Sequence, residues 1–135
     1  MIRDWPAVVL DTNVVSYIFK GDARARYYEE RLRGVYLTIS FQTLEESLFG
    51  SRKDGWGRRR RQELSDYLAN YEVIWPNPDM VDLCARLRAD RRAAGREIRM
   101  ADAWIAATAL YLGCPLASHD GDFDGIPQLQ LIRAP

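Results

Sequence analysis

The chain has 135 residues, of which 47% are apolar and 28% charged, and its formal net charge is zero. This length predicts one domain over residues 1–135 with the composition of an ordinary globular protein. The absence of a ~20-residue apolar run and of a signal-peptide core excludes the membrane-spanning and secreted classes, so we expect a cytoplasmic protein.

Five short segments predict β-strands, because they are apolar or rich in β-branched residues and end at polar turns. Residues 35–40, which alternate valine, leucine and isoleucine with tyrosine and threonine, give the strongest strand pattern. The predicted strands are residues 7–10, 35–40, 72–75, 115–118 and 129–132.

The segments between these strands predict helices. The predicted helices are residues 14–19, 23–33, 41–49, 62–71, 79 to about 95, and 101–112, and residues 51–61 are predicted as a loop. We expect Thr12 or Asn13 to cap the first helix, Ser40 to cap the third, and Gly34 and Gly50 to end the second and third. Alternating strands and helices favour an α/β sandwich with a parallel sheet.

Acidic residues follow the predicted strands at comparable positions. Asp11 follows the first strand, Asp120 and Asp122 follow the fourth, and Glu46 lies about one and a half helical turns beyond the second. Asp102 begins the apolar helix 101–112. Because the carboxyl ends of parallel strands meet at one edge of the sheet, these carboxylates are expected to converge there.

Three of these acids, and the neighbouring histidine, also have an ordinary structural interpretation. Asp102 could stabilise its helix through the macrodipole, an effect of about 0.3–1 kcal/mol. Asp120 and Asp122 flank Gly121 and could form a solvated turn. His119, the single histidine, could act as a general base, but alternation along an extended segment directs it away from Asp120 and favours a surface or packing role.

Converging carboxylates would raise one another's pKa, and a hard divalent cation would relieve this repulsion. Oxygen-only ligands suit Mg²⁺ or Mn²⁺, and the absence of a histidine or cysteine cluster argues against zinc. Cys84 and Cys114 fit no metal spacing and are expected to be buried thiols. A pair of such ions would polarise a phosphate and generate a hydroxide, so the predicted reaction is phosphodiester hydrolysis.

Four ordered blocks resemble the PIN domain, and most closely the VapC-type toxins. They are residues 8–14 (VVLDTNV), 43–50 (TLEESLFG), 101–109 (ADAWIAATA) and 116–129 (LASHDGDFDGIPQL). The resemblance implies a three-layer sandwich with a short central parallel sheet flanked by helices. It also implies a metal-dependent endoribonuclease that cleaves structured RNA such as tRNA or rRNA through a metal-activated water. The implied partners are a VapB-type antitoxin of a type II pair and a second toxin in a homodimer.

By block position, the resemblance implies that Asp11, Glu46, Asp102 and Asp120 are catalytic metal ligands. Asp122 could supply a ligand instead of Asp120, or beside it through water. Glu45 makes the register of the second block ambiguous, and the distance to the block's final glycine favours Glu46; the leucine usual after this acid is a serine here.

Three polar residues adjoin the predicted ligands and could orient the carboxylates by hydrogen bonds. They are Thr12, Asn13 and Ser118. Asn13 could alternatively cap the first helix.

Two arginine-rich stretches could bind RNA. Arg58, Arg59, Arg60 and Arg61 lie beside Trp56, so that phosphates could be bound and bases stacked. The alternative is a solvated helix start, although four positive charges oppose the helix dipole there. The second stretch comprises Arg86, Arg88, Arg91, Arg92, Arg96 and Arg99. Either stretch could guide RNA or meet an acidic antitoxin segment.

Other α/β phosphotransfer folds fit poorly. A HAD-type phosphatase needs a second aspartate where this chain has Asn13, and a receiver domain needs a late lysine, yet none follows Lys53. A PIN-like binding module without catalysis and a DNA nuclease of the same superfamily remain as alternatives.

Overall fold

A parallel five-stranded sheet forms the centre of the protein, whose computed structural model describes residues 7–135. In chain order the strands are β1 (Ala7–Leu10), β2 (Tyr36–Ser40), β3 (Glu72–Ile74), β4 (Leu116–Ala117) and β5 (Leu131–Ile132). Their order across the sheet is β3-β2-β1-β4-β5, and every adjacent pair is parallel. All five predicted strands are present, shorter than predicted except for the first.

The helices connect the strands and cover both faces of the sheet. They are α1 (Thr12–Lys20), α2 (Ala25–Arg31), α3 (Phe41–Lys53), α4 (Arg58–Leu68), α5 (Pro78–Ala93) and α6 (Met100–Leu112), with a short 3-10 helix at Gly121–Phe123. Within residues 7–135 none of these helices is both long and apolar enough to cross a bilayer.

The core has two halves, one on each face of the sheet. Adjacent residues of β1 point to opposite faces, so that Val9 packs with the apolar side chains of α5 and α6 while Val8 packs with those of α1, α2 and α4. Small residues of α6, including Ala103 and Ala106, are fully buried. The predicted three-layer α/β sandwich is confirmed.

Helix α3 is longer than predicted. It passes through Gly50 and ends at Lys53, so the predicted end at Phe49 is wrong. The cost of a glycine inside a helix, about 1 kcal/mol, is evidently outweighed by tertiary packing, including burial of Ser51, whose Oγ donates to the Leu48 carbonyl at 2.8 Å. The loop predicted over residues 51–61 is correspondingly confined to residues 54–57, and α4 begins at Arg58.

The helix caps agree only in part with the sequence prediction. Ser40 caps α3 as expected, since its Oγ accepts a hydrogen bond from the Gln42 amide. The cap of α1 is Asp11, whose side chain accepts from the Thr12 amide, and not Thr12 or Asn13. Helix α2 ends at Arg31, and the backbone of Leu32 is already outside helical geometry. The helix therefore stops before Gly34, where its end was predicted.

The two cysteines are buried and unbridged, as predicted. Burial raises the pKa of the Cys114 thiol to about 11, so this thiol stays protonated at neutral pH.

Candidate active site

The carboxyl ends of β1 and β4 adjoin at one edge of the sheet. The Asp11 amide donates to the Ala117 carbonyl at 2.9 Å, which places Asp11 and Ser118 side by side just beyond the two strands. Residues of the first and of the fourth sequence block therefore meet at this edge of the sheet.

Asp11 is almost completely buried, with 4% of its surface exposed. Its Oδ1 accepts from the Thr12 amide at 2.8 Å, and its Oδ2 accepts from Ser118 Oγ at 2.7 Å. Burial raises the pKa of Asp11 to about 6; these hydrogen bonds oppose the rise, and the negative charges of Asp102 and Asp120 add to it. Asp11 is thus a carboxylate that a nearby cation would stabilise in its ionised form.

Glu46 reaches the same edge from α3. Thr12 Oγ1 donates to Glu46 Oε1 at 2.7 Å and lies 3.0 Å from Thr43 Oγ1. Glu45, by contrast, is exposed and accepts from Gln42 Nε2 at 3.3 Å. The geometry favours Glu46 over Glu45 as the member of the acidic site.

Asp102, Asp120 and Asp122 form a compact acidic cluster. One carboxylate oxygen from each lies within 4.8 Å of those of the other two. Asp102 is buried, Asp120 is half-buried and Asp122 is exposed, so the cluster opens to solvent on one side. The sequence left open whether Asp120 or Asp122 supplies a ligand. In the structure the carboxylates of both residues lie close to that of Asp102.

One hydroxyl joins this cluster to the buried carboxylate. Ser118 Oγ donates to Asp11 and accepts from the Asp120 amide at 3.0 Å. Asp120 Oδ1 in turn accepts from the Asp122 amide at 2.9 Å and so caps the 3-10 helix. The expected contacts of Ser118 and Thr12 to carboxylates are present.

The donor set fits a hard divalent cation. The three clustered residues offer only oxygen ligands at short mutual distances. The pKa of Asp11 beside them is raised mainly by burial and to a smaller extent by the negative charges of Asp102 and Asp120, and a cation would favour its ionised form. Asp102, Asp120 and Asp122, together with Asp11 and Glu46 at the same edge of the sheet, are the residues that would hold such an ion.

Arginines surround the acidic cluster, and sequence reasoning did not assign them these contacts. Arg99 donates to both oxygens of Asp102, at 3.1 and 3.3 Å. The buried Arg91 donates to the carbonyls of Asp122 and Asp124 at 3.3 and 3.2 Å. The three-residue spacing of Arg99 and Asp102 at a helix start is a sequence pattern from which their contact could have been predicted. The contacts of Arg91 span more than 30 residues, so no local pattern predicts them.

Two other expected residues take different positions. Asn13 Oδ1 is buried and accepts no hydrogen bond from a described residue, so Asn13 provides neither the helix cap nor, through this oxygen, a bond to a site residue. His119 packs edge-on against the rings of Tyr17 and Tyr28, and its Nδ1 lies 3.3 Å from Tyr28 Oη. The packing interpretation of His119 agrees with these contacts.

The arginine run beside Trp56 lies on a helix and not in a flexible loop. The Trp56 ring stacks on Phe19 at 5.9 Å, and the Arg60 guanidinium lies 4.2 Å from its centre. Arg61 donates to the Trp56 carbonyl at 2.9 Å, whereas Arg58, Arg59 and Arg60 are exposed. Trp56 also lines a small groove of about 110 Å³ that extends to Thr12 and Glu46, so this region adjoins the acidic site.

Comparison with known proteins agrees with this architecture. The model of the PIN domain family matches residues 8–129, which contain all five predicted acidic ligands. The chain belongs to the PIN-domain family. The region of this PIN domain that the family model spans also contains Arg91, Arg99 and Ser118.

Within the family, the chain is similar to individual VapC proteins and VapBC complexes. The chain is 31% identical over 132 residues to Ribonuclease VapC5 of Mycobacterium tuberculosis, covering 94% of this chain and 95% of that protein. The structure of VapBC2 from Rickettsia felis, bound to a promoter DNA fragment, superimposes with a TM-score of 0.82 at 25% identity, covering 94% and 98% of the two chains. VapBC-1 from nontypeable Haemophilus influenzae gives 0.81 at 26% identity, covering 94% and 97%. The resemblance of this PIN domain to the VapC-type toxin ribonucleases is confirmed.

Proposed function

We propose that this VapC-type PIN domain is a Mg²⁺- or Mn²⁺-dependent endoribonuclease and the toxin of a toxin–antitoxin pair. The observation that carries the proposal is the convergence of Asp102, Asp120 and Asp122 within 4.8 Å, joined through Ser118 to the buried Asp11. Within residues 7–135, the ion pair that these carboxylates make is the one between Asp102 and the exposed Arg99.

The proposed metal ligands are Asp11, Glu46, Asp102 and Asp120, with Asp122 contributing directly or through water. A divalent cation bound there would polarise a phosphodiester and activate a water for in-line attack. Thr12 and Ser118 hold Glu46 and Asp11 in fixed orientations, which lowers the cost of organising the ligands before binding.

The proposed substrate is structured RNA such as tRNA or rRNA, and the proposed partner is a VapB-type antitoxin. The similar structures from Rickettsia felis and Haemophilus influenzae are VapBC complexes, which supports such a pairing. We also propose that the toxin forms a homodimer in the cytoplasm.

Cleavage of total tRNA and rRNA by the purified protein, with Mg²⁺ or Mn²⁺ against EDTA, tests the proposal. Glu46→Gln should lose most cleavage, whereas the adjacent Glu45→Gln removes the same charge from the exposed side of α3 and should keep it. Asp102→Ala should be inactive. Cleavage that survives EDTA, or equal activity of the two glutamine variants, would contradict the metal mechanism.

A parallel assay on single- and double-stranded DNA separates the related activities. Metal-dependent cleavage of DNA but not RNA would indicate a DNA nuclease, and RNA binding without any cleavage by metal-replete, antitoxin-free protein would indicate a binding module.

A further inference from the structure

A cavity of about 290 Å³ adjoins the acidic cluster and shares two of its members. Its walls include Arg91, Arg96 and Arg99 on one side and Asp102 and Asp122 on the other. This cavity, here called the arginine cavity, lies between the end of α5, the start of α6 and the 3-10 helix.

The negative charges around the arginine cavity already have partners or a proposed cation. Glu97, which also lines it, pairs with Arg92 at 3.3 Å. Asp102 and Asp122 belong to the proposed metal site. With a divalent ion bound there, Asp102 and Asp122 would no longer balance the arginines of the cavity. Asp124 also acts electrostatically on Arg96, but it lies beyond salt-bridge distance of Arg96 and is itself paired with Arg133.

Arg91 makes this positive charge unusual. Only 7% of its surface is exposed. Within residues 7–135 its Nε has no hydrogen-bond partner, and no carboxylate lies within salt-bridge distance of its guanidinium. Its described hydrogen bonds go to two carbonyl oxygens. A buried cation without an anion carries a large desolvation cost, which an anionic ligand in the neighbouring cavity would offset.

Arg96 and Arg99 are exposed and can turn toward a ligand. Arg96 donates to the Asp124 carbonyl at 3.3 Å, and among the described residues it has no carboxylate within 4 Å. Arg99, whose side chain is 69% exposed, is held by Asp102. A cation on Asp102 would compete with this ion pair and release the guanidinium into the cavity.

We propose that the arginine cavity is a subsite for a backbone phosphate of the RNA, next to the phosphate that is cleaved. Guanidinium groups bind phosphate oxygens in a planar, bidentate way, and the shared Asp102 and Asp122 place the subsite beside the proposed metal ligands. The proposal rests on the ribonuclease function and adds residues that recognise the substrate. Arg99 exchanges Asp102 for the phosphate when the metal site fills.

The test measures binding of a fluorescein-labelled single-stranded oligouridylate as a function of KCl concentration. Wild type is compared with Arg96→Gln, Arg99→Gln and the control Arg26→Gln, which removes an exposed charge from α2 outside the cavity and outside both arginine-rich stretches. Titrations are made in EDTA and in Ca²⁺, an oxygen-seeking cation, with a gel to verify that the RNA stays intact.

Each phosphate contact to single-stranded RNA contributes about 0.7 to the slope of log affinity against log salt. We expect Arg96→Gln to flatten the slope by about 0.7 in both buffers and to weaken binding about tenfold at low salt. Arg99→Gln should flatten it only in Ca²⁺, because Asp102 already neutralises Arg99 in EDTA. Arg26→Gln should keep the wild-type slope.

Failure of the phosphate subsite and failure of the ribonuclease function would give different results in these measurements. Wild-type slopes in both cavity variants, with RNA still cleaved by the wild type, would overturn the subsite and leave the ribonuclease function standing. Loss of antitoxin binding with unchanged RNA slopes would assign the cavity to a protein partner and overturn it as well. A wild type that neither binds nor cleaves RNA would remove the proposed function itself.

Discussion

Ser118 Oγ donates a 2.7 Å hydrogen bond to Asp11 Oδ2 across 107 positions of sequence. The same oxygen accepts from the Asp120 amide. A single fully buried hydroxyl therefore fixes both the carboxylate at the end of β1 and the start of the acidic loop after β4. Neither group can move far without breaking a buried hydrogen bond.

Replacing Ser118 with alanine should weaken metal binding. The variant leaves Asp11 Oδ2 and the Asp120 amide without this partner, and loss of groups that orient metal ligands typically costs 10–100-fold in affinity, so we expect about that loss here. Mn²⁺ titration calorimetry measures it. Ser51→Ala removes an equally buried hydroxyl that bonds a carbonyl in α3, and it should cost about 1 kcal/mol of stability with Mn²⁺ affinity unchanged. Equal Mn²⁺ affinities in the two variants would contradict the orienting role.

Asp11 should make the metal-free protein less stable as the pH rises. Its pKa is raised from 3.8 in the unfolded chain to about 6 in the fold, so the folded state binds the proton more tightly. Its contribution is therefore most favourable below pH 4 and is lost as the pH rises through about 6, a change of about 3 kcal/mol. Urea unfolding in EDTA across this range measures it.

Asp11→Asn should abolish RNA cleavage and yet stabilise the metal-free protein. The amide cannot ionise, so at pH 7 we expect a gain of about 1–3 kcal/mol, reduced by a poorer hydrogen bond to Ser118. The same substitution at the exposed Asp90 of α5 should change neither property. A destabilised or fully active Asp11→Asn protein would count against both the burial cost and the catalytic role.

Arg99→Gln should tighten metal binding. Arg99 competes with a cation for both oxygens of the buried Asp102. Because the guanidinium itself is mostly exposed and screened by solvent, we take the pair to be worth about 1 kcal/mol, so the expected gain in Mn²⁺ affinity is about two- to fivefold. Calorimetric titration detects this difference, with Arg86→Gln as the control for net charge. Weaker Mn²⁺ binding in Arg99→Gln would show instead that Arg99 supports the ligand geometry.

Arg91→Met should loosen the acidic loop. Methionine retains much of the apolar stem but removes the hydrogen bonds to the carbonyls of Asp122 and Asp124. Because it also removes the desolvation cost of the buried guanidinium, we expect a net loss of only about 1–2 kcal/mol in stability. Hydrogen exchange should rise in residues 120–125. The exposed Arg88→Met on the same helix should leave both unchanged; protection of the loop in Arg91→Met would refute its anchoring role.

The acidic residues of the site could be selected from the sequence because their signal is local. An apolar strand that ends in a carboxylate can be recognised from a few consecutive residues. Parallel strands place their carboxyl ends at one edge of the sheet, so the position of each carboxylate follows. Asp11, Asp120 and Asp122 are each identified in this way, and Asp102 is identified by its position at the start of the apolar helix α6. The two faces of β1 and the apolar helix α6 follow equally from periodicity in the chain.

The sequence suggested Thr12 and Ser118 as groups that support these acids, but only the tertiary structure decided which acid each of them contacts and that Arg91 holds the acidic loop. The bond from Thr12 to Glu46 spans 34 positions, and the contacts of Arg91 to the acidic loop span 31 and 33. The same holds for the end of α3, where tertiary packing overrides the weak helix propensity of Gly50. Local pattern encodes which face a residue presents, but the identity of a hydrogen-bond partner depends on elements that only the packed fold brings together.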